Sequence, residues 1–142
     1  MPASIEIVKA VYARFAQGDI VGFLALCSED IEWVVNGPSS LEKCQAFHGI
    51  AGVKDFLSLL DQSWRFTSFA PREFIVGQSE IVVLGEEEGV DRSTNETFQN
   101  RWAHVFTVRE GSIVAFREFL CHWRGSQTPP NMTWNSDSAE AN

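Results

Sequence analysis

The chain has 142 residues, 44% of them apolar and 21% charged, so it is read as one soluble domain long enough to bury its own core. Its net charge of −8 and its lack of any Lys/Arg run exclude nucleic acid and anionic membranes as expected partners, because both require a basic footprint. Cys27, Cys44 and Cys121 are far apart and form no Cys-x-x-Cys pair, which fits separate thiols better than a disulfide frame or a zinc site.

Ile5, Val8, Tyr12 and Phe15 recur at helical spacing, predicting an amphipathic helix over residues 4–17, started by Ser4 and stopped at Gly18. Asp19 is placed to cap a second, shorter helix that buries Ile20, Phe23, Leu24 and Cys27. Residues 31–36 read as a strand broken by Gly37-Pro38-Ser39-Ser40, followed by a polar loop to His48-Gly49. Val53, Phe56, Leu57, Leu60 and Trp64 mark a third helix. From Arg65 the pattern is β, with strands over 72–76, 81–88, 98–108 and 113–122; Glu86-Glu87-Glu88 reads as a solvated strand end. Helices followed by a meander imply an α+β domain over residues 1–124, one sheet face packed on the helices. Residues 125–142 turn to Ser, Pro, Asn and Asp, the composition of a polar tail, in which Trp134 alone suggests docking. The opening Met1-Pro2-Ala3-Ser4 has neither a basic nor an apolar leader segment, and no apolar run reaches membrane-spanning length, so a cytoplasmic location is expected.

The last two strands carry the candidate chemistry. With Arg109-Glu110-Gly111 as a three-residue loop and Gly111 left-handed, Val108 faces Ser112 and Trp102 faces Glu118. Alternation then puts Trp102, His104 and Phe106 on one side with Val114, Phe116, Glu118 and Leu120. His104 and Glu118 become diagonal neighbours, roughly 7–8 Å apart at the backbone. In an enclosed, ring-lined space this is an acid–base pair, the Glu118 pKa raised by desolvation. The bland alternative pairs Glu118 with Arg117, Arg101 or Arg124 at a sheet edge and leaves His104 in the core. Eleven Phe and five Trp favour a ring-walled cavity, for which Tyr12, Trp33, Phe56, Leu60, Trp102 and Phe116 are the expected lining. His48 is expected on an exposed loop, and no pair among His104, His122 and Glu118 has metal-ligand spacing, so no metal is expected.

Four segments carry a resemblance: Phe15-Ala16-Gln17-Gly18-Asp19; Asp30-Ile31-Glu32-Trp33; the loop and helix start from Phe47-His48-Gly49 to Phe56; and the hairpin from Ala103 to Phe119. In order and spacing the chain resembles the SnoaL-like and ketosteroid-isomerase-like proteins of the nuclear transport factor 2-like superfamily. The resemblance implies a cone, a curved mainly antiparallel sheet wrapped round three N-terminal helices, with a pocket at the wide end. It also implies that His104 stands where the isomerases carry an oxyanion-hole acid and the cyclases a histidine, and Glu118 where the cyclases carry a catalytic aspartate. Val35 stands near the isomerases' base aspartate, and Phe119 and Cys121 replace residues commonly polar in such relatives. Tyr12 matches the isomerases' catalytic tyrosine only with a one-residue gap, the ungapped position being Val11.

The resulting expectation is a cofactor-free acid–base enzyme of isomerase, cyclase or dehydratase type, acting on a small apolar or aromatic molecule with Glu118 and His104 as catalytic pair. The alternatives are a non-catalytic binder with the same pocket and, third, an epoxide hydrolase of the limonene type. The outer sheet face, bearing Ala103, Val105, Ala115, Phe119 and Cys121, is oily enough to predict a homodimer.

Overall fold

The computed structural model describes residues 3–125 and 127. Trp134 and nearly all of the expected tail lie outside the described residues. Among those described, three helices, α1 (Ser4–Gln17), α2 (Ile20–Ala25) and α3 (Gly49–Ser63), pack on a six-stranded sheet. The strands are β1 (Cys27–Asn36), β2 (Ala46–His48), β3 (Trp64–Val76), β4 (Glu80–Asp91), β5 (Thr97–Arg109) and β6 (Ser112–Arg124), in the order β2-β1-β6-β5-β4-β3. Every neighbouring pair is antiparallel except β1 with β6. This is the expected α+β fold with a curved, mainly antiparallel sheet. No described helix is long and apolar enough to cross a membrane.

Local chemistry explains the joints. Gly18 takes the left-handed conformation at φ 68° and closes α1, its N–H reaching Phe15 O and that of Asp19 reaching Arg14 O. Asp19 accepts from Gly22 N at 2.9 Å and so starts α2 immediately. Ser4 is the first residue of α1 and not its cap, which is Ala3. The third helix is one residue shorter than its apolar stripe suggests: Trp64 leaves it and opens β3, still buried. β3 is an edge strand, which is why it tolerates Pro71 in its interior. Its register slips against β4 at two places, between Phe66 and Ser68 and between Pro71 and Glu73, and such bulges bend and twist a long strand around the helices.

The β5–β6 hairpin differs from the sequence expectation in register. Its loop has two residues, Glu110 (φ 51°) and Gly111 (φ 79°), both left-handed, a turn whose twist matches the flanking strands. Arg109 therefore faces Ser112 and Val108 faces Ile113. A bulge follows, because Thr107 already faces Ala115 and Val114 has no opposite number. Ile113 thus takes the buried position expected for Val114, while Phe116, Glu118 and Leu120 keep the inner face. The consequence for the site is large: His104 stands directly opposite Glu118 and not diagonal to it.

Across the other edge of β5, Trp102 faces Gly85. A Cβ at Gly85 would run into the Trp102 ring and lie 2.7 Å from the Ala70 carbonyl oxygen. Gly85→Ala is accordingly expected to cost about 1–3 kcal/mol by overpacking and to change the near-ultraviolet dichroism of the tryptophans. Urea denaturation matching the parent protein, with an unaltered aromatic spectrum, would refute this fit.

Candidate functional site

Strand alternation on β4, β5 and β6 aims three polar residues on neighbouring strands inward among the rings: Glu87, His104 and Glu118, all buried. Helix α1 lays Tyr12 against them. Its hydroxyl is 2.7 Å from His104 Nδ1, and His104 Nε2 is 2.8 Å from Glu118 Oε2. Trp102 stacks flat on the His104 ring at 3.7 Å and 6°, which fixes the plane of the imidazole.

The fourth polar group comes from the loop of residues 37–45, which backbone bonds from Leu41 to Pro38 and from Cys44 to Leu41 fold into consecutive turns. Asn36 Nδ2 donates to the Glu118 carbonyl at 3.0 Å and Val35 N to the Gln45 carbonyl, so both ends of the loop are tied to the sheet. Lys43 is thereby driven inside. Its ammonium lies 4.2 Å above the Trp64 ring and 3.7 Å from Glu118 Oε1.

These contacts decide the protonation states. Burial pushes the Glu118 pKa up, but Lys43 and the His104 hydrogen bond outweigh it and hold the carboxyl below its usual range. The expectation of a raised Glu118 pKa is therefore corrected: desolvation is present, and a buried cation reverses its effect. None of Arg101, Arg117 or Arg124 is the partner the structure gives it; Lys43 is. Burial lowers the His104 pKa against the opposing pull of Glu118, so the ring is neutral at pH 7. The partners then assign its tautomer: Nε2–H donates to the Glu118 carboxylate, and Nδ1 accepts from the Tyr12 hydroxyl. Burial, and next the Glu118 charge, push the Tyr12 pKa upward, so it stays a phenol.

Glu87 has the opposite fate. Burial, only partly offset by Lys43, pushes it up to about 7. Its Oε2 accepts from Asn100 Nδ2 at 2.7 Å, and Asn100 Oδ1 is 2.6 Å from His122 Nδ1. His122, lowered to about 4 chiefly by burial, is neutral and donates to Asn100. It lies against Trp64, its ring stacked at 5.4 Å and 13°.

Tyr12, Lys43, Glu87, His104 and Glu118 line one inner cavity of about 50 Å³, walled by Trp33, Phe56, Leu60 and Phe116 among other apolar side chains. Five of the six expected lining residues are thus present. Trp102 lies behind His104 instead of in the wall. Both Val11 and Tyr12 reach the cavity, and Tyr12 is the one that bonds His104. Trp33 Nε1 is buried without a hydrogen-bond partner among the described residues. His48 is exposed and pairs with Glu32 at 2.7 Å, outside the cavity. Phe119 and Cys121 face outward. Among the described residues, no three His, Cys, Asp or Glu side chains gather as a metal-binding group.

Asn100 and Lys43 have no part in the sequence reading, and for Glu87 that reading is corrected: expected at a solvated strand end, it is buried against the cavity. Glu87 and Asn100 carried a readable signal, since each keeps the alternation of its buried neighbours: Ile81, Val83, Gly85 and Glu87 on β4, Phe98, Asn100 and Trp102 on β5. Lys43 carried none, being one charged residue in an irregular loop.

Comparison with known proteins agrees with this architecture. No curated protein sequence matches the chain. An NTF2-like protein from Burkholderia xenovorans LB400 is 30% identical, with a TM-score of 0.75 over 82% of this chain and 88% of that one. TerC, co-crystallized with polyporic acid, is 31% identical, with a TM-score of 0.71 over 80% and 88%. A putative SnoaL-like polyketide cyclase from Mesorhizobium loti, 18% identical with a TM-score of 0.67 over 82% and 98%, shares the fold. The SnoaL-like domain model matches residues 8–116, most of the chain, ending inside β6 two residues before Glu118, and the protein belongs to the SnoaL-like domain family.

Proposed function

We propose that the protein is a cofactor-free acid–base enzyme that moves a proton on a small, oxygen-bearing aromatic molecule, with Glu118, His104 and Tyr12 as its proton-accepting chain. The observation that carries this reading is the continuous buried hydrogen-bonded line from the Tyr12 hydroxyl through His104 to the ionised Glu118. A ligand C–H made acidic by a neighbouring carbonyl loses its proton to the Tyr12 oxygen. The Tyr12 proton passes to His104 Nδ1, and the Nε2 proton passes to Glu118. Lys43 holds the Glu118 charge in place between turnovers. Glu87 supports the same reading from the other side: it faces the cavity with its pKa pushed up to about 7, so that near neutral pH it holds a proton part of the time and can return one at a second atom. Two carboxyls with environments that separate their proton affinities are the usual basis for dividing acid and base roles. The relative TerC was co-crystallized with polyporic acid, which supports a small-molecule ligand for this fold.

A hydrolytic reading of the epoxide-hydrolase type ranks second, favoured by one observation: a buried ammonium paired with Glu118, with Glu87 lining the same space of about 50 Å³, enough for water. It predicts a diol from an aryl epoxide, whereas the first reading predicts none. The homodimer is also proposed, through the convex face where Phe119 and Cys121 are exposed beside half-buried Ala103, Val105 and Ala115. A monomer in micromolar sedimentation runs would remove it.

The proton-transfer reading is checked by deuterium incorporation next to the carbonyl of an aromatic ketone such as 2-tetralone, followed by NMR. Glu118→Gln and Tyr12→Phe should each keep the fold and slow exchange by about 10²–10⁴-fold, the range of a lost general acid or base. Exchange no faster than buffer in the parent protein, or equal rates in parent and Glu118→Gln, would sink it.

The ion pair makes a separate prediction about stability. Lys43→Met keeps the side-chain volume and leaves a buried carboxylate unpaired, so it should cost about 3–5 kcal/mol near pH 7. Glu118 is depressed in the folded state, so its contribution is present above the ordinary carboxylate pKa and is lost as pH falls through the folded value. The penalty of Lys43→Met should therefore shrink on acidification from pH 7 to pH 3. Denaturation curves showing a penalty independent of pH would contradict it.

A further inference from the structure

Next to the inner cavity lies a second, outer chamber of about 740 Å³. The two share Tyr12, Phe15, Leu57, Leu60, Phe66 and Phe69, so they lie in series across one aromatic threshold. Size alone divides the ligand between them. The inner space of about 50 Å³ is well below the roughly 150 Å³ of a cavity that takes up benzene. Only a small oxygen-bearing end can reach His104 and Glu118, and the bulk of the molecule belongs at the threshold and beyond it.

The charge of the outer chamber runs against that of the protein. The chain has 19 acidic and 11 basic residues, yet this chamber is lined by Lys54, Arg65 and Arg92 against a single carboxylate, Asp61. The three cations come from three places, helix α3, strand β3 and the turn after β4, and converge on one opening. Arg92 is held there, its Nε donating to the Asp61 carbonyl at 2.8 Å and its terminal nitrogen 3.9 Å from the Asp61 carboxylate. Lys54 and Arg65 make no ion pair among the described residues. The hydroxyls of Ser58, Thr67 and Ser68 line the same chamber and add neutral donors. The inner end has the opposite preference, because an anion pushed through the threshold would meet the ionised Glu118.

We infer that the outer chamber is the binding site for the acidic group of the ligand, so that the molecule acted on is a small aromatic acid entering neutral end first. This rests on the proposed ring-walled site and narrows its substrate class. Lys54 and Arg65 recognise the anion, Phe66 and Phe69 receive the ring, and the uncharged oxygen-bearing end reaches Tyr12.

Three probes of one shape separate the two claims: 2-naphthoate, 2-naphthamide and 2-naphthylmethylammonium, titrated calorimetrically into the intact protein at 20 mM and 500 mM salt. At low salt 2-naphthoate should bind about tenfold tighter than the amide, the sum of a few exposed charge contacts, and the ammonium weakest. High salt should bring the acid and the amide together, since exposed charges are screened. Lys54→Gln/Arg65→Gln, both at exposed positions, should abolish the preference for the acid while leaving the amide affinity unchanged. Equal binding of acid and amide at low salt would overturn the inference and leave the aromatic-site reading standing. A preference that survives in the double variant would overturn the assignment to these residues. Failure of all three probes to bind would overturn the inference together with the reading beneath it.

Discussion

An ionised carboxylate inside a cage of aromatic rings has to be compensated, and here the compensation for Glu118 organises much of the molecule. Taking a carboxylate and an ammonium out of water costs several kcal/mol each, recovered only where geometry is close and the remaining polar atoms are satisfied. Lys43 and His104 supply that closeness on the two carboxylate oxygens. Each requirement spreads outward. Lys43 has to be desolvated too, which the Trp64 face makes tolerable, and this ties a loop after β1 to the first residue of β3. His104 has to be neutral and held in one plane, which Trp102 and Tyr12 accomplish from β5 and α1.

Glu87 and Glu118 show how environment, and not residue type, assigns a proton. Both are glutamates on the inner face of the same sheet, both buried, and both feel Lys43. Glu118 has the ammonium 3.7 Å away and an imidazole N–H as well, so its charge is stabilised. At Glu87 the more distant pull of Lys43 and neutral donors such as Asn100 leave most of the desolvation cost standing, and its pKa rises to about 7. A single buried cation placed nearer one carboxyl than the other suffices to separate an acceptor from a donor. The outer chamber extends this logic to the surface: cations where an anionic group is to rest, and a fixed negative charge where it is not.

Much of the fold was legible because it follows from periods that local chemistry sets. The helical stripe of α1 and its stop at Gly18, the Asp19 cap, the alternation of β5 and β6, and the order of helices before meander are each written in neighbouring residues. So was the inward direction of His104 and Glu118. The distance between those two was not, since it depends on whether the hairpin loop has two residues or three and on the bulge at Val114. Sequence identifies Gly111 as a turn residue; the choice between the two loops lies in how the twist of the finished sheet fits the turn. Trp64 shows the same limit, because its spacing continues the α3 stripe while the sheet claims it as the start of β3.

By itself, then, the sequence determined which residues are apolar, which way they point along each element, and that a histidine and a glutamate share an inner face. Tertiary structure decided everything that depends on a through-space distance. It brought Lys43 from an irregular loop to Glu118, placed Glu87 inside although the sequence pattern reads Glu86-Glu87-Glu88 as a solvated strand end, and shifted the pKa values of the two carboxyls in opposite directions. The physical reason is that periodicity records the orientation of a side chain relative to its own element, whereas the energy of a buried charge depends on which partners other elements deliver within a few ångströms of it.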